Sequence, residues 1–216
     1  PLPMVHIGTV MRIHEIIHRQ PSIMFILGSI SPDAIHMRED AKKEDKWFTH
    51  LHCGDKDAMI PNTKEFLDKY LKLYRDWDRI EFVKGYATHI ITDFYWLSTV
   101  YKTFKERLPK DLSKADISKK YYTDTDQIDF NIYRSREWRP AIWRQLRETQ
   151  AFDFGNLLTG EEIDKWKLRT LTFFEDSSKE PKITPIYISE KEVESFMDDA
   201  ANYIIQLFNT WDIELS

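Results

Sequence analysis

The sequence predicts an all-α chain, a single-domain multi-helix bundle over residues 1–216. Three observations carry this. Apolar residues recur at helical spacing through most of the chain. Three positions fit the capping-box spacing: Asn62 with Glu65, Thr159 with Glu162, and Ser189 with Glu192. Alternating strand patterns are nearly absent, and "ITPIYI" at 183–188 is the one plausible extended piece.

The elements follow in order. A first helix is expected over 3–19, closed by Pro21. The apolar run Ile23–Ile30 reads as a short helix broken by Gly28 and the Ser-Pro step. Residues 37–61 read as irregular. Helices follow over 62–76 and 78–106, and the second, mostly apolar, is expected to be central. Residues 109–130, "PKDLSKADISKKYYTDTDQIDF", and 175–185 read as long polar loops. Helices at 135–150, 160–174 and 189–209 complete the bundle. There are no internal repeats and no low-complexity tracts.

Composition narrows the function classes. Aromatics make up 14% and there are seven Trp, which suits a packed core. The net charge of −5 argues against general nucleic-acid binding, which needs a basic face. The run Ile23–Ile30 falls far short of the roughly 20 residues of a membrane helix. Cys53 is the lone cysteine, so no intrachain disulfide is possible, and a structural thiolate zinc site is not expected. With no leader visible, a reducing, cytoplasmic setting is expected.

The stretch His14-Glu15-Ile16-Ile17-His18 fits H-E-x-x-H, the pattern in which two histidines one turn apart hold zinc and the glutamate acts as base. An ideal helix turns about 100° per residue. With His6 at the origin, Val10, Ile13 and Ile17 fall on its side, in the apolar stripe. His14 and His18 fall on the flank and Glu15 on the opposite, solvent side. The motif therefore reads as a partly exposed surface pair. His6, on the apolar face, needs a partner.

Three other segments supply metal-ligand chemistry. In "ATHIITDFYW" His89 and Asp93 are four apart and share one helical face, where a buried carboxylate needs compensation. In "GSISPDAIH" Asp33 follows a sharp turn and either caps a helix or points inward. In "WFTHLHCGD" only one of His50 and His52 is expected to face inward. A mixed imidazole and carboxylate set suits zinc or another divalent transition ion with open positions.

These motifs resemble the zinc-dependent phospholipase C family, whose single-strand nuclease relatives share an all-α fold. The residues that carry the resemblance are "VHIGTVMRI", "SISPDAIH", "FTHLHCGDKD" and "THIITD", within about residues 3–105. It implies that Asp33, His50, His89 and Asp93 hold one metal, and that His6 helps hold a second sharing Asp93. One or two ions are therefore expected. In the family a further His pair and a Glu follow the H-x3-D motif. This chain has no His after His89, so that part of the cluster is not built the same way.

The expected chemistry is phosphoester hydrolysis on a small-molecule or lipid substrate, with Asp33 as ligand and base. Arg38 is expected as a catalytic cation for the phosphoryl group, with Arg134 and Arg136 as further candidates. Trp96, Tyr133 and Trp138 are candidates for a pocket wall but more often core. Asp124, Asp126 and Asp129 read as solvated loop. Whether His36 or His52 joins the site is open. Two alternatives stand beside this reading: a zincin-type peptidase using His14, Glu15 and His18, and a non-catalytic, metal-stabilised protein that works through a partner.

Overall fold

The computed structural model describes residues 1–52 and 54–215, so Cys53 lies outside the described residues. The helices are α1 (Pro3–Ile16), α2 (Ile23–Ile30), α3 (Lys43–Thr49), α4 (Met59–Leu73), α5 (Trp77–Ser98), α6 (Val100–Arg107), α7 (Lys114–Ser135), α8 (Arg139–Glu148), α9 (Gly160–Glu175) and α10 (Glu190–Thr210). A 3-10 turn, Ser31–Met37, continues α2. Among the described residues there is no strand, only an isolated bridge between Phe154 and Leu158. The all-α class is as expected. Among the described residues no helix is long and apolar enough to cross a membrane.

Helix α5 lies at the centre, and α2 is its closest partner. The reason is a reciprocal pair of glycines. A Cβ on Gly28 would sit 2.2 Å from the Phe82 carbonyl oxygen, and one on Gly85 2.0 Å from the Phe25 carbonyl oxygen. Only with hydrogen at both positions do the two backbones touch. Gly28 therefore lies inside α2 and serves packing; it does not break the helix, which passes into the 3-10 turn at Ser31. On the other side, Gly8 of α1 meets Met197 of α10.

The caps at Thr159 and Ser189 form as expected. Thr159 accepts from Glu162 N and the Glu162 side chain answers Thr159 N at 2.8 Å. Ser189 accepts from Glu192 N. Asn62 is not a cap: it lies inside α4, and its side-chain amide donates to the Leu51 carbonyl at 2.6 Å.

Three expectations on elements need correction. Helix α1 stops at Ile16, before Pro21, and His18 adopts a φ of +54° beyond it. The expected helix 78–106 is two helices, broken at Thr99, where ψ turns to −87° and the hydroxyl donates back to the Tyr95 carbonyl at 2.6 Å. The largest change is at 109–130, which forms most of α7. Its polarity hid it, because its buried face carries Asp124, Thr125, Gln127 and Asp129 among Ile128, Phe130 and Ile132. Distant backbone N–H groups reach Asp124, Gln127 and Asp129, while Thr125 donates back to the Tyr121 carbonyl. Asp124 accepts from the N–H groups of Ile186, Tyr187 and Ile188 at 3.0, 2.5 and 3.0 Å. This pins "ITPIYI", which is loop and not strand. Asp129 accepts from Met4 N at 2.9 Å and so caps α1 from outside. Asp124 and Asp129 are therefore structural, and Asp126, part-buried on the same helix, is not in a loop either.

Candidate metal centre

Four segments bring five ligand-type side chains together: His6 from α1, Asp33 from the 3-10 turn, His50 from the C-terminus of α3, and His89 with Asp93 from α5. Within two sets, His6–Asp33–His89 and His50–His89–Asp93, every ligand atom lies within 4.8 Å of the others. All five are residues the sequence pointed to. His50 arrives by a helix end, not by an extended segment.

The contacts are specific. Asp33 Oδ1 lies 3.3 Å from His50 Nε2, and Asp33 Oδ2 lies 4.0 Å from His89 Nε2. Asp93 divides its oxygens. Oδ2 faces His89 Nε2 at 3.5 Å and His50 Nε2 at 3.7 Å, while Oδ1 faces His6 Nε2 at 3.4 Å. The His6 and His89 rings stack in parallel at 3.8 Å.

Two outer contacts aim the imidazoles. His89 Nδ1 is 2.8 Å from the Ser29 carbonyl, a distance set by the glycine contact between α2 and α5. His50 Nδ1 is 3.1 Å from the Lys46 carbonyl, one turn back on α3. An Nδ1–H bonded to a carbonyl leaves the Nε2 lone pair pointing into the centre, the arrangement found around ligating histidines. The Nε2 atoms of His50 and His89, and both ring nitrogens of His6, are buried without a hydrogen-bond partner. Buried polar atoms are normally satisfied, so this concentration at one point signals a missing acceptor of lone pairs.

Protonation agrees. Burial, with His89 beside it, carries His6 down to about 3, so it is neutral. Burial alone would raise Asp33 and Asp93. For Asp33 the approach of His50 Nε2 at 3.3 Å, with His89 and Lys46 close by, outweighs it. For Asp93 the neighbouring His89, the chain's amino group and the approach of His6 do the same, and both acids lie well below the usual carboxylate range. A neutral imidazole and ionised carboxylates are the forms that bind a divalent ion. The residues therefore fit zinc or a similar metal. His89 Nε2 has one lone pair and serves one ion. The two sets, His6–Asp33–His89 and His50–His89–Asp93, share His89, and His50 Nε2 bridges them by lying 3.3 Å from Asp33 Oδ1.

The other candidates fall elsewhere. His14 is buried, not at the surface: its Nδ1 lies 2.9 Å from the Val10 carbonyl and its ring edge meets Phe25. His18 is exposed and off the helix, and Glu15 pairs with Arg12 at 2.8 Å in solvent. The H-E-x-x-H pattern therefore does not place two ligands on one face. Arg38 is taken up by Glu162 (Nε to Oε1 2.7 Å, Nη2 to Oε2 3.1 Å) and by the Leu157 carbonyl at 2.8 Å. It ties the Asp33 turn to α9 and is spent there. Arg134 pairs with Glu180 at 2.6 Å, and Arg136 pairs with Glu194. Trp96 is core and donates to the Tyr121 hydroxyl at 2.9 Å. His52 stays outside, with Nδ1 accepting from Gly54 N. His36 does reach the rim, 3.7 Å from Asp33 Oδ1.

The residue missed in the sequence is Lys46, whose Nζ lies 3.6 Å from Asp33 Oδ1. Its signal was the spacing of four from His50, which puts both on one helical face. Comparison of the chain with protein-family models, curated proteins and solved structures found no match.

Proposed function

We propose that this chain is a metal-dependent phosphoester hydrolase, as the resemblance to the zinc-dependent phospholipase C family implies, holding one or two zinc or related ions at His6, Asp33, His50, His89 and Asp93. The observation that supports this most is the set of buried, partnerless imidazole nitrogens aimed at two ionised carboxylates. A divalent ion bound there supplies Lewis acidity toward a phosphoryl oxygen and lowers the pKa of its water from 15.7 toward about 7.

The chain's own residues do the rest. His50 and His89 are oriented by backbone carbonyls before any ligand arrives, so little reorganisation is needed. Asp33 is ligand and general base: it takes the proton of the attacking water as the new P–O bond forms and the ester P–O bond breaks. Asp33 then passes that proton to the departing alkoxide, which leaves as the alcohol. Substrate reaches the centre where Asp33 and Asp93 keep 17% and 20% exposure, while the histidines are sealed. That retained exposure of two ligands supports catalysis over a metal sealed in the core. The peptidase alternative draws no support from the split His14 and His18. The lone Cys53 favours a reducing, cytoplasmic setting.

The test is hydrolysis of an aryl phosphodiester and an aryl phosphomonoester by zinc- or manganese-loaded protein. Turnover that chelator and His89→Ala both abolish is expected. Metal-loaded protein that turns over neither ester, nor a lipid phosphodiester, overturns the reading in favour of a metal kept for stability.

A further inference from the structure

A phosphoester carries its own negative charge to this centre, and the charges already there set a problem. The two ionised carboxylates cancel one divalent ion, and the amino group 3.6 Å from Asp93 Oδ1 is buried away from the exposed edge. Arg38, Arg134 and Arg136 are engaged by Glu162, Glu180 and Glu194. The cation that stands at the exposed edge is Lys46. Its side chain is 44% exposed, and Asp33 is its one ion-pair partner among the described residues.

The way Lys46 is held matters. Its Nζ lies 3.3 Å from His36 Nε2. An ammonium has three N–H donors and no acceptor, so His36 accepts through Nε2 and carries its proton on Nδ1. One N–H thus goes to His36, a second faces Asp33 Oδ1, and a third is left toward solvent. His36 is itself half exposed, with its ring against Trp166. Lys46 also supplies the carbonyl that orients His50. One residue therefore sets a ligand through its backbone and reaches the rim through its side chain. A metal on Asp33 competes for that carboxylate and frees the ammonium.

Resting on the hydrolase reading above, we propose that Lys46, steered by His36, binds the non-bridging oxygens of the phosphoryl group and is the determinant of anionic substrate at this centre. His36 is a positioning residue and acts through Lys46. The ligand chemistry is a phosphate monoester or diester anion beside a divalent ion.

The experiment uses zinc-loaded protein with inorganic phosphate as probe and an aryl phosphoester as substrate. For Lys46→Ala we expect unchanged metal content and melting temperature, about tenfold weaker phosphate binding, and a KM raised by a similar factor with a smaller change in kcat. Lys46→Arg should recover most of the phosphate affinity, and His36→Gln should weaken it less than Lys46→Ala. A Lys46→Ala protein that keeps metal and binds phosphate as tightly as the parent overturns the proposal and leaves the hydrolase reading standing. Loss of metal in Lys46→Ala and Lys46→Arg alike also overturns it, since the side chain then serves the His50 helix. A parent protein that holds zinc but neither binds phosphate nor turns over ester removes both.

Discussion

Two regions of this molecule bury acids, and they do it for opposite ends. On α7, Asp124 and Asp129 are met by backbone N–H groups of the 183–188 loop and of α1. At the centre of the bundle, Asp33 and Asp93 are met by imidazole nitrogens that have no other partner. In the first arrangement backbone donors answer the acids and the fold gains anchors, with Asp129 Oδ1 the one oxygen left over. In the second, the Nε2 atoms of His50 and His89, whose Nδ1 atoms face backbone carbonyls, point at carboxylates, and a cation completes that arrangement. A buried carboxylate is thus no mark of a site. The chemistry of what faces it decides.

The sharpest way to break this contrast is to remove the shared ligand. His89→Ala should reduce bound zinc well below one per chain and abolish chelator-sensitive activity, measured by metal analysis and turnover. Chelator should lower the melting temperature of the parent and not of the variant, because metal binding is coupled to folding. Full metal retention would sink the centre.

Next comes the contact that builds the centre without touching it. Gly85→Ala places a methyl group against the Phe25 carbonyl, a backbone atom that cannot swing aside. A loss of about 3 kcal/mol in denaturant unfolding is expected. Metal affinity should fall with it, since Ser29 and His89 then separate.

On the α7 side, Asp124→Ala leaves three backbone N–H groups without their acceptor. It should cost about 3 kcal/mol while zinc content stays at the parent level. Loss of metal there would mean that the two regions are coupled.

Asp129 gives a pH test. Burial, with the neighbouring Asp126, pushes its carboxyl up to about 8 against the pull of the Met4 N–H. The folded state thus favours the protonated acid. Its stabilising contribution is full below the ordinary carboxylate range and is lost as pH rises through about 8. Asp129→Asn keeps the neutral form at every pH. Its stability relative to the parent should rise between pH 5 and pH 8, by at most about 1.4 kcal/mol per pH unit. A parallel pH dependence in the two proteins would show that Asp129 is ionised in the fold.

The smallest effect on the centre is expected from His14→Ala with His18→Ala. Zinc content and activity should persist, although the buried His14 makes some loss of stability inevitable. Loss of metal would return the peptidase reading.

Sequence alone determined the helical class and the cap chemistry at Thr159 and Ser189, because period and capping are local properties; the five residues of the candidate centre stood out by side-chain type, and their grouping came from the family resemblance. His89 and Asp93 were legible as a pair since a helix fixes residues four apart on one face. The tertiary structure decided everything that depends on partners distant in the chain. Helix α7 looked like a loop because its buried acids draw their donors from residues 4 and 186–188. Arg38 looked like a phosphate clamp until Glu162, 124 residues away, claimed it. His14 looked exposed on an ideal wheel, yet Phe25 of α2 covers it. Lys46 became significant only when the Asp33 turn folded over α3. Periodicity places a side chain on a face of its own helix. Which neighbour that face meets is set by packing across the whole chain, and with it whether a charge is neutralised, buried or left to bind.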